Sequence, residues 1–112
     1  MGEMQTKILT AIRKHAEKAG LEVVDQPQYS NTGSVFLMDG FTTKLSFGYD
    51  FQAGYATLQF YPEGKKISRT CGFTDPDCVL NAYLKYEDLS GKMQEIYKLI
   101  DTLGGVLKRG TR

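Results

Sequence analysis

The chain begins with a stripe of apolar residues at helical spacing. They recur at intervals of four, at Met4, Ile8, Ile12 and Ala16. This spacing places one apolar face on a helix whose other positions are polar or charged. Gly20 follows the stripe at a position where glycine ends many helices. The pattern therefore predicts a first helix over residues 3–19.

The middle of the chain consists of short runs rich in β-branched and aromatic residues. LEVVD (21–25) and a loop (26–33) precede the runs SVFLM (34–38), FTTKLSFGY (41–49), YATLQFY (55–61) and KISRTCGF (66–73). The joints between these runs hold the Asp, Gly and Pro residues that tight turns require. This predicts an antiparallel β-meander of four to five strands.

Two helical patterns follow the meander. In the segment 74–90, Asp75 is a capping residue and Pro76 suits a first helical turn, so the pattern predicts a short helix. Its apolar face would consist of Val79, Leu80, Tyr83 and Leu84. A final stripe, at spacings of 4, 3, 4 and 3, predicts a C-terminal helix formed around Leu89, Met93, Ile96, Ile100 and Leu103. That stripe is too short for a stable coiled-coil seam, and residues 106–112 are predicted to be a flexible tail.

The order of these elements predicts an α+β fold in a single domain, residues 1–112. Each predicted helix has one apolar stripe, and the second strand of the meander has one apolar face. A two-layer sandwich buries both, with the N-terminal and C-terminal helices packed on one face of the sheet. The opposite face of the sheet would then be open.

A two-residue turn at Asp39-Gly40 sets which side chains share a face. It pairs Leu37 with Thr42 and Val35 with Lys44. The predicted core face then contains Phe36, Met38, Phe41, Leu45 and Phe47. The predicted open face contains Val35, Leu37, Thr42, Lys44 and Ser46.

The open face is the candidate binding surface. In the next strand, the same alternation adds Tyr55, Gln59 and Tyr61 to it. A four-residue connection to the following strand adds Lys66, and a three-residue connection would turn Lys66 inward. The candidate binding residues are Val35, Leu37, Lys44, Tyr55, Gln59, Tyr61 and Lys66.

Charge and cysteine content limit the classes of function and the cellular location that the sequence predicts. Fourteen basic and thirteen acidic residues give a net charge of +1, which provides no support for nucleic-acid binding through many phosphate contacts. No apolar run approaches the ~20 residues of a membrane helix. The spacing of Cys71 and Cys78 fits neither a disulfide framework nor a zinc site. These features predict a cytoplasmic protein without a membrane segment.

No catalytic motif is recognisable in the sequence. His15 with Cys71 or Cys78 would make a nucleophile pair only if the fold brought them together, and no third, orienting residue can be named. Neither GxGxxG nor GxxxxGK(S/T), two glycine-rich patterns that bind phosphate groups, occurs in the sequence. We therefore expect no enzymatic activity, no cofactor and no metal site.

The leading hypothesis is a small non-enzymatic binding protein that is homodimeric and acts through the open sheet face. It would bind a protein partner as an adaptor, a chaperone-like escort or an inhibitor, a class that includes viral accessory proteins of phages and proteins of mobile elements. The alternatives are a protein that sequesters a nucleotide or other small anionic ligand, and a weak nucleic-acid-binding protein. A solvated sheet face without a partner, or one covered by the loop 26–33 or by the tail, would also fit the pattern.

Overall fold

The computed structural model describes residues 2–65 and 77–104, which form a five-stranded sheet and two helices. In chain order the elements are α1 (Glu3–Lys18), β1 (Glu22–Pro27), β2 (Thr32–Asp39), β3 (Thr42–Gln52), β4 (Tyr55–Pro62), β5 (Leu80–Lys85) and α2 (Ser90–Leu99). A π-helical turn, Ile100–Gly104, continues α2. The strands lie in the order β1-β2-β3-β4-β5, and every neighbouring pair is antiparallel. The predicted α+β class with an antiparallel sheet is confirmed.

Helix α1 ends as its sequence predicts. Gly20 has a φ of 91°, and its amide donates a hydrogen bond to the carbonyl of Glu17. The next amide, that of Leu21, reaches back to the carbonyl of Ala16. These two bonds satisfy carbonyls that the end of a helix would otherwise leave unpaired.

The hydrophobic core contains side chains from the helices and from the sheet. Buried side chains of α1 and α2, such as Ile12 and Ile96, belong to the same cluster as Leu45, Leu58 and Leu84 of β3, β4 and β5. Side chains alternate between the two faces along each strand. Leu45, Leu58 and Leu84 therefore share one face of the sheet, the core face, and the opposite face is the open face.

The predicted register between β2 and β3 is wrong. Asp39 pairs with Thr42, so the two turn residues are Gly40 and Phe41. Gly40 has the positive φ, 63°, that a tight hairpin turn needs at this position. The ring of Phe41 lies at the tip of the turn, fully exposed, and not on the core face as predicted.

A β-bulge at Lys44 exchanges the two faces of β2. Met38 pairs with Thr43, whereas the next residue of β2, Leu37, pairs with Leu45, so Lys44 is an extra residue on β3. The shifted turn alone would have kept Phe36 with Leu45, because it moves the register by one residue on each strand. The extra residue changes the alternation, and Leu37 joins Leu45 on the core face.

The segment predicted as a short helix contains strand β5. Ala82 and Leu84 are buried, and the alternating positions Asn81, Tyr83 and Lys85 are exposed. This is a period of two, so β5 extends the sheet beside β4. The alternation LNAYLK is the strand signal, and the cap pattern that precedes it indicates a helix instead. The predicted cap residues, Asp75 and Pro76, lie outside the described residues, as do the predicted strand 66–73 and the tail 106–112.

Candidate functional site

The open face of the sheet carries mostly polar side chains, arranged in rows by the strand register. One row crosses all five strands and consists of Gln26, Ser34, Gly48, Gln59 and Asn81. The next row consists of Thr32, Asp50, Thr57 and Tyr83, and a third of Gln52, Tyr55 and Lys85. Such a face can form many hydrogen bonds with a molecule laid across it.

We use the name tyrosine surface for the part of the open face on β3, β4 and β5. Its residues are Asp50, Gln52, Tyr55, Thr57, Gln59, Asn81, Tyr83 and Lys85. Each of them is half-buried or exposed, so their polar groups are accessible to a partner. They come from three adjacent strands, which fix their backbone positions.

Two tyrosines form the centre of this surface. The rings of Tyr55 and Tyr83 lie with their centroids 5.2 Å apart and their planes inclined by 33°. They sit diagonally across the β4–β5 pair, because Thr57 is the residue directly opposite Tyr83. Tyr83 remains 46% exposed despite this contact. The pair therefore presents a preformed aromatic area with one accessible ring.

Asp50 is held in place by two side-chain amides. The Nε2 group of Gln52 donates to Oδ1 of Asp50 at 2.6 Å, and Nδ2 of Asn31 donates to the same oxygen at 3.5 Å. No Lys, Arg or His of residues 2–65 and 77–104 forms an ion pair with this carboxylate. Its negative charge is thus oriented but not neutralised within the described structure.

Lys85 lies at the end of β5, on the same face as Asp50. It is exposed, and it forms no ion pair with an acidic residue of the described ranges. Strand β4 separates the two charged residues, and they lie one row apart along the strands. Strand spacing places them roughly 10 Å apart across the sheet and about 7 Å apart along it.

The opposite end of the open face is closed to solvent. Tyr61 and its cross-strand neighbour Ser46 are fully buried, although the register places both on the open face. Near them, Nζ of Lys44 contacts Oε1 of Glu63 at 2.8 Å. This end offers no accessible tyrosine ring to a partner.

The structure separates the predicted binding residues into three groups. Val35 and Leu37 were predicted on the open face, and that placement is wrong. They are 3% and 0% exposed and belong to the core, because the bulge at Lys44 exchanges the two faces of β2. Tyr55 and Gln59 do lie on the open face. Tyr61 lies there as well but is buried, Lys44 is half-buried in its ion pair, and Lys66 lies outside the described residues.

The sequence interpretation missed all three residues that β5 contributes to the tyrosine surface. Asn81, Tyr83 and Lys85 belong to β5, and their segment was predicted to be a helix. A helix would have used Tyr83 as a core residue. The alternation of polar and apolar residues in LNAYLK was the signal that could have placed all three on one face.

His15 has a different partner from those considered in the sequence. Its Nε2 atom lies 2.8 Å from Oδ1 of Asp101, and its ring stacks on Tyr97 with centroids 4.5 Å apart. These contacts join α1 to α2 and to the π-helical turn. Cys78 donates its thiol to the carbonyl of Leu80 at 3.3 Å, and Cys71 lies outside the described residues. His15 therefore links the helices through its contacts with Asp101 and Tyr97.

A second polar pair lies on the core face, at the edge of the sheet. The Tyr49 hydroxyl donates to Oδ1 of Asp25 at 3.3 Å. Burial, together with the negative charge of Asp25, raises the pKa of Tyr49 to about 12. The phenol therefore stays protonated at neutral pH and acts there as a hydrogen-bond donor.

Comparisons with known proteins give no relative. No protein-family model, no curated protein and no solved structure matches this chain. Within residues 2–65 and 77–104, no three or more His, Cys, Asp or Glu residues are grouped as metal ligands. In the same ranges, neither helix combines the length and apolarity that crossing a bilayer requires.

Proposed function

We propose that this protein is a small non-enzymatic binding protein that acts through the tyrosine surface. The observation that carries the proposal is the accessible pair Tyr55–Tyr83, surrounded by side chains that both donate and accept hydrogen bonds. Tyrosine provides a large contact area at a low cost in conformational entropy, and it is enriched in protein interfaces.

A protein partner fits the chemistry of the surface. Side-chain amides such as Gln59 and Asn81 match the donors and acceptors of another polypeptide. The charges on the surface, Asp50 and Lys85, cancel, so a strongly charged partner has no electrostatic advantage. We accordingly favour a macromolecular partner of balanced charge over a nucleic acid.

The proposal also covers the setting in which the protein acts. We infer a cytoplasmic adaptor, chaperone-like protein or inhibitor, which works by covering or bridging its partner and is itself homodimeric. The finer architecture of the predicted sandwich, with both helices in one layer, is part of this proposal because it leaves the tyrosine surface accessible. A role as an accessory protein of a phage or mobile element belongs to the same proposal.

The test compares two exposed tyrosines. Tyr83 lies on the tyrosine surface, whereas Tyr29 lies in the β1–β2 loop and is 70% exposed. The immobilised wild-type protein and the variants Tyr83→Ser and Tyr29→Ser would be used to capture partners from a lysate of the native host, with quantification by mass spectrometry.

We expect Tyr83→Ser to reduce capture of the specific partner at least tenfold, because an aromatic anchor at the centre of an interface contributes a large share of the binding energy. Tyr29→Ser should capture as much as the wild type. Equal capture by Tyr83→Ser and wild type, with both variants folded, would contradict the proposal.

A small ligand is the competing proposal, since an exposed tyrosine ring can stack on a planar base. It predicts that a nucleotide raises the melting temperature of the wild type and not that of Tyr83→Ser. A nucleic acid would instead show retention that weakens steeply with salt. These two measurements separate the competing proposals from a protein partner.

A further inference from the structure

The tyrosine surface carries one negative and one positive side chain on opposite sides of its tyrosine pair. Asp50 projects from β3 and Lys85 from β5, with Tyr55 and Thr57 of β4 between them. Among the described residues neither charge has an oppositely charged partner within its own chain. The surface is therefore neutral as a whole and has two oppositely charged sides.

The other charged groups near this surface do not alter that pattern. Lys44 belongs to the closed end of the open face, where it pairs with Glu63. Glu87 and Asp88 follow β5, and neither forms an ion pair with Lys85. Asp50 and Lys85 thus remain the oriented charges within the tyrosine surface itself.

A surface with this arrangement is complementary to itself. Consider two copies whose tyrosine surfaces face each other and are related by a two-fold axis that runs between the two surfaces, parallel to them. Each residue of one copy then meets, in the other copy, the residue at the mirror-image position on the far side of the axis. An axis that crosses the line from Asp50 to Lys85 at its midpoint and at a right angle brings Asp50 of each copy onto Lys85 of the other. Both ion pairs then form at once.

The same axis brings the tyrosines into the centre of the contact. The midpoint between Asp50 and Lys85 lies on β4, between Tyr55 and Thr57. Tyr83 is then close to the axis and faces Thr57 and Tyr83 of the other copy. The accessible ring becomes buried between two charged pairs, an arrangement typical of an interface centre.

We propose that the partner bound by the tyrosine surface is a second copy of this chain, in a two-fold symmetric dimer joined by two reciprocal Asp50–Lys85 ion pairs. This inference rests on the proposed function, because it uses the same surface. It adds the identity of the partner and the pairing that sets the relative orientation of the two copies.

Charge exchange tests the pairing directly. Sedimentation velocity over a range of protein concentrations would be measured for the wild type, Asp50→Lys, Lys85→Asp and the double variant with both changes. Lys7→Asp is the matched control, because it makes the same change of charge as Lys85→Asp at an exposed position of α1, outside the tyrosine surface. Circular dichroism and melting temperature would establish that each variant is folded.

We expect a dimer for the wild type and for Lys7→Asp. Each single reversal places two like charges in contact at two symmetric positions, so the dissociation constant should rise at least tenfold. The double variant restores opposite charges and should recover dimerisation, a coupling that independent effects of the two changes would not produce. Since Asp50→Lys also loses the hydrogen bonds from Gln52 and Asn31, Asp50→Asn serves as a second variant that keeps an acceptor oxygen, and it should also weaken the dimer.

Three results would overturn the inference. They are a monomeric wild type, single reversals that leave the dimer intact, and a folded double variant that fails to recover it. A monomeric wild type that still captures another protein through Tyr83 would overturn this inference and leave the proposed function standing. If the capture experiment also shows no dependence on Tyr83, the proposed function fails as well.

Discussion

Gly33 and Tyr49 lie directly opposite each other in the β2–β3 ladder, and the tyrosine side chain crosses over the glycine. A Cβ atom on Gly33 would lie 2.5 Å from the Tyr49 hydroxyl oxygen and 2.8 Å from the Cα atom of Pro27. Because Gly33 has no side chain, Tyr49 can extend from β3 across β2 to Asp25 of β1. A single glycine in β2 thus permits a polar contact between β3 and β1.

Gly33→Ala should destabilise the protein by about 1–3 kcal/mol, the usual cost of adding a methyl group to a tightly packed site. Urea unfolding of the purified variant would measure the loss. In the Tyr49→Phe background the penalty should become smaller but not vanish, because the contact with the Pro27 backbone remains. An unchanged free energy of unfolding for Gly33→Ala would contradict the close packing of Tyr49 and Pro27 against Gly33.

Tyr49 should make the stability of the protein fall at high pH. Its pKa is about 12 in the folded protein and close to the ordinary value of 10.0 in the unfolded chain. The unfolded chain can therefore release the phenol proton first, so stability is complete below pH 10 and declines as the pH rises through about 12. The free energy of unfolding, measured from pH 9 to 12, should decline less steeply for Tyr49→Phe. Equal slopes for the variant and wild type would contradict the assignment.

Leu37 should be essential for stability, in contrast to Phe41 at the tip of the same hairpin. Leu37→Ala removes a fully buried side chain and should cost about 2–5 kcal/mol. Phe41 is fully exposed, so Phe41→Ala should stay within about 0.5 kcal/mol of wild type. Thermal unfolding of both variants is the measurement. The reverse order would mean that the bulge at Lys44 is absent.

Neighbouring residues of β5 should differ sharply in their tolerance of charge. Ala82 is completely buried, whereas Asn81 is exposed on the tyrosine surface. Ala82→Asp places a carboxylate in the core and should cost on the order of 4 kcal/mol or more, whereas Asn81→Asp should remain folded. Circular dichroism of the two variants checks this difference. Similar stability for both would contradict the alternation that defines the strand.

The sequence predicted those elements whose local signals agree with their packing. Helix α1 has a clean apolar stripe and a glycine at its end, and the structure places it within one residue of the prediction. Strands β3 and β4 alternate regularly, so Leu45 and Leu58 were assigned to the correct face. The final helix was recognised by its spacing, although its last turn is π-helical from Ile100 onward.

The errors arose where two patterns of similar strength competed. Strand β2 is apolar at every position from Val35 to Met38, so its own sequence cannot say which side faces the helices. The answer depends on one extra residue, Lys44, in the neighbouring strand, and no local propensity marks a bulge there. In β5, the strong cap signal of Asp75 and Pro76 outweighed a shorter alternation. Of the eight residues of the tyrosine surface, only Tyr55 and Gln59 were therefore predicted as binding residues.

The bulge at Lys44 has a consequence for how this hairpin could slip. Because β2 offers hydrophobic side chains on both sides, the same turn without the bulge would still give a well-formed ladder, in which Lys44 pairs with Leu37 and Phe36 with Leu45. Phe36 and Met38 would then point into the core, and Val35 and Leu37 would point at the solvent. A slip of one residue would thus invert a whole strand, exchanging an aliphatic lining for Phe and Met side chains and creating a hydrophobic exterior in the same step.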